Sequence, residues 1–120
     1  MSDLSGARVL LVEDEGFVAL MIEDMLLEFG CEVVASVAEL TTALEKAALV
    51  EVDVAMLDVN LAGQPSFPVA AILHERAIPV LFCTGYAPTS FPAEFSANPV
   101  LNKPFSGVEL QQKLALILGR

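Results

Sequence analysis

Four consecutive apolar residues, Val54-Ala55-Met56-Leu57, stand between Asp53 and Asp58. The run is too short for a helix and too evenly apolar for a strand with one wet face, so it predicts a strand buried on both sides. Such strands belong to parallel sheets covered by helices, and this one brings the Asp58 carboxylate to its C-terminal end. In open α/β sheets the crevice outside the carboxyl ends of the strands is where ligands bind. One Asp after a strand carries little weight, because Asp commonly forms turns. Its meaning depends on what the other strands deliver.

Arg8-Val9-Leu10-Leu11-Val12 predicts a first strand that ends in Glu13-Asp14-Glu15. A helix follows directly, with Asp14 or Glu15 near its N-terminus, where acidic groups complement the helix dipole. Val18, Ile22, Met25 and Phe29 recur at helical spacing, and Gly30 supplies the stop. Cys31-Glu32-Val33-Val34-Ala35 predicts a second strand, and Ser36 a cap for a helix running to about Leu49. Beyond Asp58, a polar loop over residues 60–66 leads to a helix carrying Val69, Ala70, Ile72 and Leu73.

Ile78-Pro79-Val80-Leu81-Phe82-Cys83 predicts a fourth strand, ending in Thr84-Gly85-Tyr86. Pro88, Pro92 and Pro99 then restrict any fourth helix to a short one. Val100-Leu101 gives a brief fifth strand ending in Asn102-Lys103-Pro104, and Ser106-Gly107-Val108-Glu109 has capping-box spacing at the start of a last helix reaching about Leu118. Strand and helix alternate five times. The economical architecture is a doubly wound α/β fold, a parallel sheet with helices on both faces and every strand C-terminus on one edge.

Composition narrows the classes. A chain of 120 residues makes one domain, and no apolar run approaches the roughly 20 residues that span a bilayer. The first residues lack the basic and apolar regions of a signal peptide, so the expectation is a cytoplasmic protein without membrane attachment. A net charge of -10 with six basic residues argues against nucleic acid and favours a protein or cation partner. Cys31 and Cys83, each inside an apolar segment, read as buried reduced thiols. The sole histidine, His74, excludes sites built from several imidazoles and reads as solvent-facing.

The strand ends collect Glu13, Asp14, Asp58, Thr84 and Lys103 in one crevice. Taken singly, each has a plain structural reading as a cap, a strand end or a surface charge. Together their roles are complementary. Three carboxylates repel unless protons or a cation neutralise them, and a hard oxygen set with room for water suits Mg²⁺. An Asp in such a site can act as a nucleophile toward phosphorus, with Lys103 and the Thr84 hydroxyl supplying charge and a donor to phosphoryl oxygens. The Lys103-Pro104 bond is a candidate cis peptide that turns the lysine back into the crevice.

These residues resemble the receiver domains of two-component response regulators over essentially the whole chain. The signposts are Val-Glu-Asp at 12–14, Leu-Asp-Val-Asn-Leu at 57–61, Gly63, Thr84-Gly85 and Lys103-Pro104-Phe105. The resemblance implies a (βα)5 flavodoxin-like fold with strand order 2-1-3-4-5. It also implies that Asp58 accepts a phosphoryl group from a histidine kinase or histidine phosphotransfer protein. In that scheme Asp14 and Asp58 ligate Mg²⁺, Glu13 acts through water, and the Asn60 backbone carbonyl completes the protein ligands. Thr84 is the switch hydroxyl and Lys103 pairs with the phosphoryl group. Chemistry of this kind is confined to the chain's own phosphoryl transfer and autodephosphorylation, so no enzyme of external substrates is implied. Receivers usually carry Tyr or Phe three residues before the lysine; here Val100 stands there. Phe82-Cys83-Thr84-Gly85-Tyr86 with a shortened fourth-helix region is similar to a bacterial subgroup with Phe-Ala-Thr-Gly at this place, often stand-alone. Tyr86 is a candidate modulator lying over the acyl phosphate.

The chain stops at Gly119-Arg120, at the end of the last helix, which predicts a single receiver over residues 1–120 with no output domain. Output then rests on protein contacts. The last helix is more apolar than one stripe requires: Leu110, Leu114 and Ile117 share a face, leaving Leu116 and Val108 for a target or homodimer surface. Phe17, Val18 and Met21 lie beside the acidic pair, where a phosphodonor helix would dock. Two other readings remain: a receiver-fold binding module that works without phosphorylation, and a receiver excised from a hybrid kinase. A phosphohydrolase or nucleotide hydrolase is disfavoured, because no phosphate-binding Gly-rich loop and no Asp-x-Asp at Asp58 are present.

Overall fold

The computed structural model describes residues 4–85 and 91–120. In chain order its elements are β1 (Arg8–Val12), α1 (Gly16–Glu28), β2 (Glu32–Val37), α2 (Leu40–Leu49), β3 (Val54–Asp58), β4 (Asn60–Leu61), β5 (Gln64–Pro65), α3 (Phe67–Glu75), β6 (Val80–Thr84), a 3-10 turn (Ala93–Phe95), β7 (Val100–Asn102) and α4 (Gly107–Leu118). Five strands form one parallel sheet in the order β2-β1-β3-β6-β7. Leaving aside the small β4-β5 hairpin, that is the expected order 2-1-3-4-5.

Strand alternation divides the core in two. Val9, Leu11, Val54, Met56, Leu81 and Cys83 face α1 and α4, meeting Ile22, Leu26, Leu110 and Leu114. Leu10, Val12, Ala55, Leu57, Val80 and Phe82 face α2 and α3, meeting Ala43, Ala47, Val69 and Leu73. All four apolar residues of β3 are fully buried, as a central parallel strand requires.

Helix ends follow local chemistry. Phe29 ends α1 and Gly30 follows at φ 84°; the Cys31 N–H donates to Leu26 O and the Gly30 N–H to Leu27 O, the paired bonds of a Schellman motif. The same pattern closes α3 through Ala77 at φ 58°, with Ile78 N–H on Leu73 O and Ala77 N–H on His74 O. The capping box forms at α4, where Ser106 Oγ accepts from the Glu109 N–H and the Glu109 carboxylate accepts from the Ser106 N–H. Arg76 binds α2 to α3 by donating to Ala47 O and Val50 O at 2.7 and 2.8 Å, satisfying carbonyls at the C-terminus of α2.

Two local expectations need correction. Ser36 does not cap α2. It lies inside β2, opposite Leu11 in the β1 register, and its hydroxyl donates to the Glu23 carboxylate at 3.0 Å. The strand runs to Val37 because β1 offers paired backbone that far, and α2 starts only after Glu39. The stretch after Asp58 is not a plain loop either, since β4 and β5 pair antiparallel through Asn60 with Pro65 and Leu61 with Gln64.

Among the described residues, the 3-10 turn is the helical structure between β6 and β7, in keeping with a shortened fourth helix. Phe95 from this turn joins Phe67, Phe82 and Phe91 in a cluster with centroid separations of 5.0–5.9 Å. These rings pin the connection onto α3 and β6, the geometry in which aromatic pairs add to simple burial. Val100 pairs with Phe82 in the sheet register. Among the described residues no helix is long and apolar enough to cross a membrane.

Candidate functional site

Parallel strands with return helices put the C-termini of β1, β3, β6 and β7 on one edge, and the side chains there converge. Glu13 follows β1 and is 3% exposed. Lys103 follows β7, which is two strands removed from β3 and three from β1 in the sheet. Its ammonium nevertheless crosses the edge and donates to Glu13 Oε1 at 2.5 Å and to Asp58 Oδ2 at 3.0 Å. The other Glu13 oxygen accepts the Glu15 N–H at 3.1 Å. The other Asp58 oxygen accepts the Asn60 N–H at 3.3 Å. Asp14 Oδ2 accepts the Ala62 N–H at 3.1 Å.

Carboxylate oxygens of Glu13, Asp14 and Asp58 lie within 4.8 Å of one another. When all three are ionised, three carboxylates against one ammonium leave two negative charges uncompensated. Burial pushes the Glu13 carboxyl up to about 7, with the Lys103 hydrogen bond opposing it and the Asp58 charge adding to it. Burial also acts to raise Asp14, but hydrogen bonds with Asp58 and the Ala62 N–H outweigh it and bring its carboxyl below the ordinary value. Burial acts to lower Lys103, yet its bonds to Glu13 and Asp58 hold its pKa above the ordinary lysine value. A clustered set of hard oxygen donors with excess negative charge is chemistry that fits a small divalent cation.

Asp14, Glu15, Asp58, Asn60, Ala62, Gly85 and Lys103 line an open cleft of about 370 Å³. Beside it lies an apolar groove of about 360 Å³ formed by Val18, Met21, Ile22, Pro104 and Phe105, with Glu15, Gly85 and Lys103 shared between the two. Phe17 stands 89% exposed on the same helix.

The edge thus gathers Glu13, Asp14, Asp58, Asn60 and Lys103. Thr84, 4% exposed, ends β6, and its carbonyl accepts the Lys103 N–H at 2.7 Å. The Lys103-Pro104 peptide is cis. Tyr86 lies outside the described residues. On the last helix, Val108 and Leu116 are 61% and 79% exposed, whereas Leu110 and Leu114 are buried. Sequence reasoning missed the part of Ala62, whose N–H reaches Asp14. The Ala-Gly pair at 62–63 is a muted form of the Asn-Gly hairpin signal, and it was the available clue.

The family model for the response regulator receiver domain matches residues 9–115. The chain belongs to this family. Receiver membership places it in two-component signalling and agrees with the sheet order found here. Among curated proteins the receiver is 28% identical over 117 residues to the transcriptional regulatory protein PdtaR of Mycobacterium tuberculosis, covering 94% of this chain and 57% of that protein. It therefore spans little more than half the length of this relative. Among solved structures it is similar to SdrG from Sphingomonas melonis Fr1, with 39% identity, a TM-score of 0.82, and coverage of 98% of this chain and 99% of that one. It also resembles the receiver domain of the sensor histidine kinase PA1611 from Pseudomonas aeruginosa PAO1, at 25% identity and a TM-score of 0.82, covering 97% of this chain and all of that one (100%). That structure holds a magnesium ion coordinated in its active site cleft.

Proposed function

We propose that this receiver is a Mg²⁺-dependent phosphoryl-accepting switch with Asp58 as the acceptor. The observation that carries the reading is the setting of Asp58. Its carboxylate closes a trio of clustered acids, is gripped by Lys103 on one oxygen and the Asn60 N–H on the other, and lines an open cleft. An Asp58 oxygen attacks the phosphorus of a phosphohistidine. The P–O bond forms as the P–N bond breaks, and the departing imidazole takes a proton from solvent. Lys103 is already in place to follow charge from the carboxylate onto the phosphoryl oxygens, and the Thr84 hydroxyl is the donor expected to turn toward them. Asp14 and Asp58 would hold Mg²⁺ directly, Glu13 through water, and Asn60 through its backbone carbonyl. The bound ion would neutralise the carboxylates and the incoming phosphoryl group.

The phosphodonor in this reading is a histidine kinase or histidine phosphotransfer protein, docking at the apolar groove that adjoins the cleft. Signalling runs through contacts with a target protein or through onward phosphoryl relay, and the exposed Val108 and Leu116 on α4 are the candidate output surface. The test is intact-mass analysis after incubation with acetyl phosphate or a phosphorylated kinase, with and without Mg²⁺. A phosphoryl adduct that needs Mg²⁺ and disappears in Asp58→Asn is expected. No adduct from either donor would overturn the reading in favour of a phosphorylation-independent binding module.

A further inference from the structure

The β4-β5 hairpin is held in an unusual way for its size. It pairs only two residues with two, and its two-residue loop, Ala62-Gly63, has φ of 51° and 90°. Positive φ at both loop positions is the pattern of a type I′ turn, which favours Asn-Gly and disfavours alanine at the first place. So short a hairpin with an ill-suited loop residue does not hold itself closed. Its base is closed by the Ser66 N–H on Val59 O at 2.9 Å, and three further bonds hold the rest. Asn60 Oδ1 accepts the Gly63 N–H at 2.6 Å, the Ala62 N–H donates to Asp14 Oδ2 at 3.1 Å, and the Asn60 N–H donates to Asp58 Oδ1 at 3.3 Å. Two of the three end on carboxylates of the acidic trio. Of the three, the Asn60 side-chain bond is the one internal to the hairpin.

We infer that the Asn60 side chain is a positioning residue for the divalent cation, acting by closing the hairpin that aims the Asn60 backbone carbonyl and the Ala62 N–H into the cleft. This rests on the reading of the cleft as a Mg²⁺ site. The Asn60 Oδ1 is committed to Gly63, so the side chain serves the turn and does not reach the ion. Without it, the base of the hairpin stays closed by the Ser66 N–H on Val59 O and by the buried Leu61, while its loop and outer edge are tied down through Asp14 and Asp58, the groups the cation itself needs. Partners that orient ligating carboxylates typically contribute tenfold or more to metal affinity.

The decisive experiment is a Mg²⁺ titration followed by amide NMR shifts on the wild-type chain, Asn60→Ala, Ala62→Asn and the double variant. Asn60→Ala is expected to bind Mg²⁺ about tenfold more weakly, and its Gly63 amide to exchange faster with solvent in metal-free buffer. Adding Ala62→Asn supplies the loop residue a type I′ turn prefers, so the double variant is expected to regain affinity. Unchanged affinity in Asn60→Ala, with a wild type that binds, would overturn the inference alone. A weakened Asn60→Ala that Ala62→Asn does not rescue would overturn it too, because the side chain would then act on the ion directly. A wild-type chain that fails to bind Mg²⁺ would overturn the reading of the cleft, and the inference with it.

Discussion

Glu13 is the residue where burial and charge compete most directly. It is 3% exposed, and its carboxyl is pushed up to about 7 from an ordinary 4.5, chiefly by burial. A carboxyl whose pKa is higher in the folded chain stabilises the fold while it holds its proton. That contribution is complete below 4.5 and is lost as pH rises through about 7. The metal-free protein in chelator is therefore predicted to show a falling urea midpoint between about pH 5 and about pH 8. Glu13→Gln should flatten that fall, and saturating Mg²⁺ should offset it; a fall of equal size in the variant would contradict the assignment. The positions of these acids were legible in the sequence, because each follows an apolar run that could only be a strand. The reach of Lys103 to Glu13 as well as Asp58 was not. It depends on a side chain crossing the C-terminal edge of two intervening strands, which no local pattern encodes.

Among the elements, α1 and α3 end in the same hydrogen-bonded motif with different residues at the left-handed position. Gly30 occupies it after α1 at φ 84°, and Ala77 after α3 at φ 58°. An L-residue with a Cβ is disfavoured there by roughly 1 kcal/mol, a cost that glycine avoids. Ala77→Gly is therefore predicted to raise stability, by about 1 kcal/mol at most once the extra freedom of the unfolded glycine is counted. Urea unfolding measures this at a site far from the cleft in sequence. Gly30→Ala should do the opposite, since an added Cβ would also meet Ser5 at 3.1–3.3 Å. The same chemistry shows why some elements were readable and others not. Gly30 and the Ser106–Glu109 box announce helix ends by residue type. The hairpin at 60–65 was hidden because Ala62 takes a conformation its residue type does not advertise. Ser36 has the type of a cap but lies in a strand, because pairing with β1 continues past it.

At the scale of the molecule, the exposed apolar surface is unevenly placed. Of the seven large exposed apolar side chains among the described residues, Phe17, Leu20, Met21, Leu27, Val108 and Leu116 all lie on α1 or α4, the two helices of one layer. If the groove by α1 receives a phosphodonor protein, Phe17→Ala with Met21→Ala should slow phosphotransfer from that protein by about tenfold, the effect of losing one or two well-packed anchors. The rate of labelling by acetyl phosphate should not change, because a small donor uses the cleft alone. Equal slowing with both donors would mean that the substitutions disturb the cleft itself. The layered fold was legible from five strand-helix alternations, and the two-sided burial of β3 from four apolar residues in a row. Which helix faces stay uncovered was legible only in part: the apolar surplus gave Leu116 and Val108 on α4 and Phe17 and Met21 on α1, but not Leu20 or Leu27. The two cysteines were correctly read as interior: both are buried, and burial pushes the Cys83 thiol up to about 12. Thiol-reactive dyes consequently find little to attack on the native surface, so one cysteine introduced on α1 or α4 would carry a fluorophore at a single chosen spot.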